Sequence, residues 1–211
     1  MNHGKFIVVE GIEGAGKSTA IATIKETIEK FNISYVTTRE PGGTPLAEQL
    51  RTLVKSADHQ ETITQETELL LMYASRSQLL ANKILPALEQ GTWVIGDRHN
   101  LSSIAYQGGG RQISDSILNT LADITLKGLK PDLTIYLDIT PELGLSRAQA
   151  RGELDRIELE QIDFFNRTRD KYLQMAASDN SIVKIDASQP LASVRASIVK
   201  TIEAFVSQQI K

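Results

Sequence analysis

Short apolar runs rich in β-branched residues alternate along the chain with longer stretches of helical periodicity. The short runs predict five strands, at residues 6–10, 35–38, 92–96, 133–138 and 182–185. The longer stretches predict helices at about 17–30, 46–55, 67–89, 114–127, 141–151, 158–177 and 192–209. Because parallel strands need a crossover helix between them, this order predicts a doubly wound α/β fold, with helices on both faces of a parallel sheet.

One proline lies inside a predicted helix. Pro86 falls within the helical pattern at 67–89. Proline has no backbone N–H, and its ring clashes with the preceding turn, so we expect the helix to kink at Pro86 or to end before it.

Length and composition favour one globular domain. The 211 residues, 41% of them hydrophobic, are enough for a sizeable core, and no repeat or linker divides residues 1–211.

The 23 basic and 26 acidic residues give a net charge of −3, which provides no broad positive field for nucleic acid or an anionic membrane. The absence of cysteine excludes disulfides and thiolate sites. With no signal-peptide core or spanning segment in the pattern, the sequence predicts a cytoplasmic protein that binds neither nucleic acid nor membranes.

A glycine-rich segment, GIEGAGKS, follows the first predicted strand directly. Gly11, Gly16, Lys17 and Ser18 fit the spacing of a phosphate-binding loop, G-x-x-x-x-G-K-[ST]. Glycines let backbone N–H groups converge on phosphate oxygens, and the following helix presents its positive N-terminal dipole to the same charge. Lys17 would then contact the β- and γ-phosphates of ATP, and the Ser18 hydroxyl would bind Mg²⁺. The alternative is a glycine-rich turn without a ligand, which the flanking strand and helix argue against.

Magnesium at a phosphate loop also calls for a carboxylate at the end of a neighbouring strand. Asp97 follows the apolar run WVIG, and Asp138 ends the run LTIYLD. We select Asp97, because Arg98 follows it and could hold a phosphate at the same edge of the sheet. For Asp138 the favoured interpretation is a structural carboxylate that ends its strand.

Six motifs, in order along nearly the whole chain, together resemble bacterial thymidylate kinases. They are GIEGAGKS, TREPGGT at 38–44, MYASR at 72–76, DRH at 97–99, SSIAYQGGGR at 102–111 and ARGELDRIE at 150–158. The resemblance implies a P-loop kinase fold with a five-stranded parallel sheet, a short lid at about 147–158, and a homodimer. It also implies an enzyme that transfers the γ-phosphoryl group of ATP to dTMP, giving dTDP and ADP for dTTP synthesis. Two alternatives stay open: a kinase for another nucleoside monophosphate, and a nucleotide-dependent switch or regulatory ATPase.

The resemblance implies an ATP site built on the phosphate loop and the lid. Its residues are Gly11, Ile12, Glu13, Gly14, Ala15, Gly16, Lys17, Ser18, Thr19 and Arg147. The segment DASQP at 186–190 resembles the loop that covers the adenine, although its residues alone indicate only a strand-to-helix turn.

The phosphate and sugar of the acceptor are implied to lie against charged side chains. Arg98 resembles the family arginine that holds the dTMP phosphate, for which a guanidinium fork is well suited, and Arg51 resembles a second phosphate contact. Glu13 and Glu40 resemble carboxylates on the sugar side and the phosphate side of the pocket. Arg39 is expected to support its loop rather than to contact substrate. From the residues alone, Arg98 would equally suit a surface position, and Arg51 would be interpreted as a solvated helix residue.

The thymine base is implied to be recognised by a small polar set. Arg76 resembles the residue that donates to a thymine carbonyl, and Ser103 and Gln107 resemble the groups that complete the base edge. Tyr106 is either a pocket wall under the deoxyribose or a core residue. Met72 stands where the family commonly has phenylalanine against the base. Since it precedes Arg76 by four residues, both lie on one helix face and should face the ligand together.

Charge that develops between donor and acceptor needs a cation nearby. Some thymidylate kinases carry a basic residue in the phosphate loop directly after its acidic position, but here Gly14 follows Glu13. The segment ARGELDRIE resembles the lid of family members that place the catalytic arginine there, with Arg147 and Arg156 as flanking helpers. The candidate catalytic residues are then Lys17, Arg98 and Arg151. A solvated helix face is the alternative for this charged stretch.

Overall fold

The computed structural model describes residues 3–56, 60–152 and 154–209. Its strands are β1 (Phe6–Glu10), β2 (Tyr35–Arg39), β3 (Trp93–Asp97), β4 (Leu133–Asp138) and β5 (Ile182–Asp186). They form one sheet in the order β2-β3-β1-β4-β5, and every neighbouring pair is parallel. The five predicted strands are confirmed, with ends that differ from the prediction by one residue in β2, β3 and β5.

Nine α-helices are formed by the described residues. They are α1 (Lys17–Glu29), α2 (Pro45–Lys55), α3 (Gln65–Leu79), α4 (Leu85–Glu89), α5 (Asn100–Ser103), α6 (Asp115–Leu126), α7 (Pro141–Arg151), α8 (Ile162–Ser178) and α9 (Leu191–Gln209). Two π-helical segments, Leu80–Ile84 and Ile104–Gly110, continue α3 and α5. None of these described helices has the length and apolar character needed to cross a membrane.

Pro86 interrupts the α-helical geometry, as expected, without ending the helical path. The regular ladder of α3 stops at Leu79, and the π-helical turn places the Leu85 N–H on the Leu80 carbonyl. Pro86 then stands in the first turn of α4, where a missing N–H costs no ladder hydrogen bond.

Helix α5 and the π-helical segment after it were not predicted from the sequence. Three glycines, Gly108 to Gly110, argue against a helix locally. Close packing on α8 overrides this preference, because a Cβ at Gly109 would lie 2.7 Å from the Arg167 carbonyl oxygen and one at Gly110 would lie 2.4 Å from the Phe164 ring. The glycines therefore let this segment press against α8.

Side chains of β1 alternate between two apolar layers, as the period of a strand requires. Ile7 and Val9 pack with residues of α1, α8 and α9, whereas Phe6 and Val8 pack with α3, its π-helical extension and α4. The sheet is thus covered by helices on both faces, which confirms the predicted α/β class.

The carboxyl ends of the strands meet at one edge of the sheet. Val9 pairs with Asp97, Arg39 pairs with Asp97 on the other side, and Asp138 pairs with Asp186. The polar residues that end these strands are thereby gathered where open parallel sheets generally bind ligands.

Candidate active site at the carboxyl edge of the sheet

A cavity of about 370 Å³ lies at this edge, above the glycine-rich loop. It is lined by seventeen of the residues predicted as site residues: Glu13, Gly14, Gly16, Lys17, Ser18, Thr19, Glu40, Arg51, Met72, Arg76, Asp97, Arg98, Ser103, Tyr106, Gln107, Arg147 and Arg151. The remaining three, Gly11, Ile12 and Ala15, are buried within the loop itself. Segments far apart in sequence therefore converge on one space, whose size suits a small charged ligand.

The glycine-rich loop turns directly into α1. Gly14 and Gly16 have φ of 71° and 90°, in the left-handed region that favours glycine. Lys17 folds back on the loop, and its Nζ donates to the carbonyls of Gly11 at 3.0 Å and Ile12 at 3.1 Å. Burial and the nearby Arg98 lower the pKa of Lys17 to about 8. The lowered pKa means that the surroundings of Lys17 stabilise its ammonium charge poorly. An anionic ligand would supply the missing stabilisation.

Arg98 follows β3 in a left-handed conformation, with φ of 70°, which is uncommon for a residue with a side chain. Its Nη2 donates to Glu13 Oε1 at 2.7 Å and to the Tyr106 hydroxyl at 3.1 Å. The Tyr106 hydroxyl also donates to Glu13 Oε2 at 2.6 Å, and the guanidinium lies 4.9 Å from the centre of the Tyr106 ring. Tyr106 thus belongs to the core and also lines the cavity, while its place under a deoxyribose stays a prediction.

The buried carboxylate of Glu10 supports Arg98 through a network of hydrogen bonds. Its Oε1 accepts from the backbone N–H groups of His99 at 2.8 Å and Ser102 at 3.2 Å, and its Oε2 accepts from the hydroxyls of Ser102 and Tyr172. The Ser102 hydroxyl in turn accepts from Arg98 Nη1 at 3.1 Å. Burial raises the pKa of Glu10, against the effect of Arg98. This carboxylate therefore fixes the start of α5 and, through Ser102, the guanidinium of Arg98.

The oxygen donors predicted for Mg²⁺ fit such an ion. Asp97 Oδ1 is buried and has no hydrogen-bond partner among the described residues, and both Asp97 and Ser18 line the cavity. An unpartnered buried carboxylate oxygen is costly unless a ligand satisfies it, and carboxylate and hydroxyl oxygens suit a hard cation. Asp138, by contrast, is held by Arg169 through two hydrogen bonds of 2.8 and 3.1 Å, as expected for a structural carboxylate.

A buried ion pair forms the wall opposite the glycine-rich loop. Arg76 Nε donates to Glu40 Oε2 at 2.6 Å, and its Nη2 donates to the Ser103 hydroxyl at 3.0 Å and to the His99 carbonyl at 3.2 Å. Burial acts to raise the pKa of Glu40, but Arg76 and His99 outweigh it and lower that pKa. Glu40 and Arg76 thus hold each other rigidly beside the cavity.

Three further predicted residues lie around this wall. Met72 lines the cavity one turn before Arg76, so the two residues do share the cavity face of α3. Arg51 of α2 also lines it and donates to the Pro41 carbonyl at 2.8 Å. Arg39 pairs with Glu48 at 2.9 Å and supports the loop, as expected.

Helix α7 lies directly on the glycine-rich loop, because glycines face each other there. A Cβ at Gly14 would lie 2.1 Å from the Gly144 carbonyl oxygen, and one at Gly144 would lie 2.6 Å from the Glu13 carbonyl oxygen. Arg147 and Arg151 follow Gly144 at helical spacings of three and seven, so they extend over the same face. A side chain at position 14 would clash with α7, which explains in this protein why the loop carries no basic residue there.

The charged segment after α7 is docked on α2. Asp155 pairs with Lys55, and the backbone N–H of Arg156 donates to the Lys55 carbonyl at 3.2 Å. Arg151 donates to Glu158 at 2.5 Å, remains 62% exposed and lines the cavity. Arg156 instead donates to the Val54 carbonyl and to Glu68, so the prediction that it assists at the cavity is wrong. Its partners lie on α2 and α3, away from the loop.

The segment DASQP forms a tight turn between β5 and α9. Asp186 accepts from the Ser188 backbone and hydroxyl and from Gln189. The Ala187 carbonyl accepts from Arg147 at 3.2 Å, which joins this turn to α7. The turn is thereby linked to the cavity through Arg147, which lines it.

A family model described as thymidylate kinase matches residues 9–198. The chain is 63% identical over 211 residues, covering 100% of both chains, to a thymidylate kinase from Colwellia psychrerythraea. It is 60% identical over 205 residues to a thymidylate kinase from Pseudoalteromonas translucida, covering 97% of this chain and 98% of that one. It is 59% identical over 203 residues to one from Shewanella loihica, covering 96% of each chain. With the matched region including every segment that lines the cavity, the chain belongs to the thymidylate kinase family.

Proposed function

We propose that this protein transfers the γ-phosphoryl group of ATP to dTMP, giving dTDP and ADP, with Mg²⁺ bound beside the donor. One observation carries the proposal. A single cavity is lined by a phosphate-binding loop with Lys17, by a second set of cations, Arg51 and Arg98, and by the polar side chains of Arg76, Ser103 and Gln107. A nucleotide switch needs the first of these sets but has no need of the second.

The donor half of the site is the loop and the start of α1. Backbone N–H groups and Lys17 would hold the β- and γ-phosphates, and Ser18 and Asp97 would hold the metal ion. Mg²⁺ supplies charge neutralisation at the β- and γ-phosphoryl oxygens when it is bound with ATP. Lys17 would exchange its two loop carbonyls for phosphate oxygens.

The acceptor half is built around Arg98 and Arg51. The guanidinium of Arg98 can offer a fork to the dTMP phosphate, while Glu13 and Tyr106 fix its orientation. Because the acceptor is already a phosphate anion, the mechanism assigns no general base. Its requirements are alignment of two phosphates, neutralisation of charge and exclusion of water. Arg151, projecting from α7, would balance the charge that develops between the two phosphates.

Acceptor choice tests the proposal. We expect dTMP to be phosphorylated with a higher kcat/KM than dCMP or dGMP, because Arg76, Ser103 and Gln107 would leave hydrogen-bonding groups unpaired against the wrong base edge. We expect dUMP to be disfavoured only weakly, since one missing methyl group is typically worth about 1–3 kcal/mol. A coupled assay of ADP release across these monophosphates measures the order. Equal kcat/KM for all of them would contradict the assignment of the base-recognising set.

The binding of ATP should depend on pH through Lys17. The pKa of Lys17 in the free protein is lowered to about 8, so its ammonium group loses its proton above that pH. We therefore expect the Kd for ATP to rise above pH 8, by up to about tenfold for each pH unit. Calorimetric titration between about pH 6.5 and 9.5 measures this, with Lys17→Arg as the control whose guanidinium stays charged throughout. A Kd for the unaltered protein that stays constant across this range would contradict the role of Lys17.

We also propose that the protein is a homodimer through the face formed by α2, α3 and α6, which pack side by side. Four large apolar side chains of these helices are about half exposed or more: Leu46 at 49%, Leu70 at 56%, Ile117 at 52% and Ile124 at 66%. Exposed apolar side chains on neighbouring helices favour association. We expect Ile124→Glu to shift the mass in sedimentation equilibrium from dimer to monomer, whereas Leu191→Glu, on α9, leaves it unchanged. A monomer in the unaltered protein would refute this.

A further inference from the structure

A buried carboxylate, Glu68, lies just behind the proposed base site without lining the cavity. Its side chain is only 1% exposed. It stands four and eight residues before Met72 and Arg76 on α3, so all three share one helix face. A buried carboxylate in this position needs several donors to remain ionised.

Donors from two segments surround Glu68. Gln107 Nε2 donates to Oε1 at 2.9 Å. Arg111 donates to Oε1 at 3.2 Å and to Oε2 at 3.0 Å, and Arg156 donates to Oε2 at 2.6 Å. Burial acts to raise the pKa of Glu68, but Arg111, Gln107 and Arg156 outweigh it and lower that pKa. The carboxylate is therefore an acceptor only.

An acceptor at this point determines how the Gln107 amide is turned. The amide group has a donating nitrogen and an accepting oxygen, and only the nitrogen can face an ionised carboxylate. Among the described residues, no hydrogen bond to Gln107 Oε1 is formed. Gln107 lines the cavity, so the oxygen is the atom that remains for a ligand there.

We propose that Glu68 is a specificity-determining positioning residue, which fixes the Gln107 amide so that the cavity presents an acceptor to the base. The proposal rests on the function proposed above. Thymine and uracil carry an N–H at ring position 3 and would donate to this oxygen. Cytosine has an unprotonated nitrogen at position 3, so its lone pair would face the oxygen without a proton between them. Arg111 and Arg156 contribute by keeping Glu68 ionised.

The test is Glu68→Gln, with kcat/KM measured for dTMP, dUMP and dCMP. A glutamine at position 68 can accept or donate, so the Gln107 amide is free to turn. We expect the ratio of dTMP to dCMP to fall by about tenfold or more, because a correctly paired and a mispaired base edge no longer differ as strongly. The ratio of dTMP to dUMP should stay unchanged, since both bases carry the same N–H. A general loss of structure would not lower the ratio of dTMP to dCMP while leaving the ratio of dTMP to dUMP unchanged.

Glu160→Gln is the matched control. It also removes a carboxylate from this cluster, because Glu160 accepts from Arg111 at 2.5 Å, but it does not contact Gln107. We expect it to keep both ratios. If Glu68→Gln does not fold, the double variant Glu68→Gln with Gln107→Glu tests the proposal instead. This variant retains one carboxylate in the pair and an acceptor oxygen at the cavity. We expect it to keep the preference for dTMP over dCMP.

A ratio of dTMP to dCMP that survives in Glu68→Gln, or that is lost in the double variant, would overturn the proposal. The unaltered protein separates this failure from a failure of the proposed function. If the unaltered protein phosphorylates dTMP in preference to dCMP while the variants behave otherwise than expected, only the role of Glu68 is refuted.

Discussion

Lys17→Ala should abolish phosphoryl transfer while the protein stays folded. We expect kcat/KM for ATP to fall by at least about 10³-fold, the upper range for loss of one donor that stabilises transition-state charge. Among the described residues, Lys17 donates hydrogen bonds to the carbonyls of its own loop alone, and it is not part of the apolar core, so the change opens no cavity in the core. Thermal unfolding and the coupled assay measure the two effects separately.

The stability of this variant follows from the pKa of Lys17. Because the pKa is lowered from 10.5 in the unfolded chain to about 8, the buried charge costs stability below pH 8. That cost fades as the pH rises from about 8 towards 10.5, where the folded protein has lost the proton and the unfolded chain has not. At pH 7 we therefore expect Lys17→Ala to have an unchanged or higher Tm. Lys30→Ala, at the other end of α1, should leave activity unchanged. Near-normal turnover by a folded Lys17→Ala protein would contradict the role of Lys17.

Arg151→Ala should lower kcat by about 10³-fold, the low end of the effect of losing an arginine that stabilises phosphoryl transfer. The structural reason is the contact between Gly14 and Gly144, which leaves no room for a basic side chain in the loop and holds α7, whose last residue Arg151 lines the cavity, against it. An interaction made only in the transition state lowers kcat without weakening ground-state binding, so the Kd for dTMP should change little.

Single-turnover kinetics with a separate measurement of dTMP binding test this prediction. Arg195→Ala is the matched control, because Arg195 lies on α9 and pairs with Glu26, and neither residue lines the cavity. Unchanged chemistry in Arg151→Ala would mean that the charged stretch is only a solvated helix surface. A loss in Arg147→Ala instead would assign the role to the residue one turn earlier.

Most of the architecture could be predicted because local signals agreed with one another. The five apolar runs gave strands within one residue of their ends, and the phosphate loop lay where a strand meets a helix. The segment at 100–110 escaped prediction, since its glycines oppose a helix locally and only packing on Phe164 and Arg167 of α8 explains it. Tertiary contacts of this kind leave no periodic trace in a single sequence.

In the candidate site, too, residues with a local sequence signal were predicted, and residues defined by tertiary contacts were not. Lys17 was assigned from the spacing of the loop motif and Arg98 from its place after Asp97 and from the family resemblance; both line the cavity, and their roles stay predictions. Glu10 and Glu68 were missed, because their partners lie far away in sequence: His99 and Tyr172 for the first, Gln107 and Arg156 for the second. Glu68 did leave one signal, its spacing of four from Met72 on the cavity face of α3. Arg156 was misassigned because its charge alone does not reveal that it turns to Glu68.

The central claim is that the terminal phosphoryl group of ATP passes to dTMP. The most direct measurement supplies ATP labelled with ¹⁸O in the γ-phosphoryl group, together with Mg²⁺ and dTMP, and follows the label by mass spectrometry. We expect the label in dTDP at a rate equal to that of ADP release, and no such product with Lys17→Ala. Label found in inorganic phosphate, with dTMP left unchanged, would contradict the account and indicate a regulatory ATPase instead.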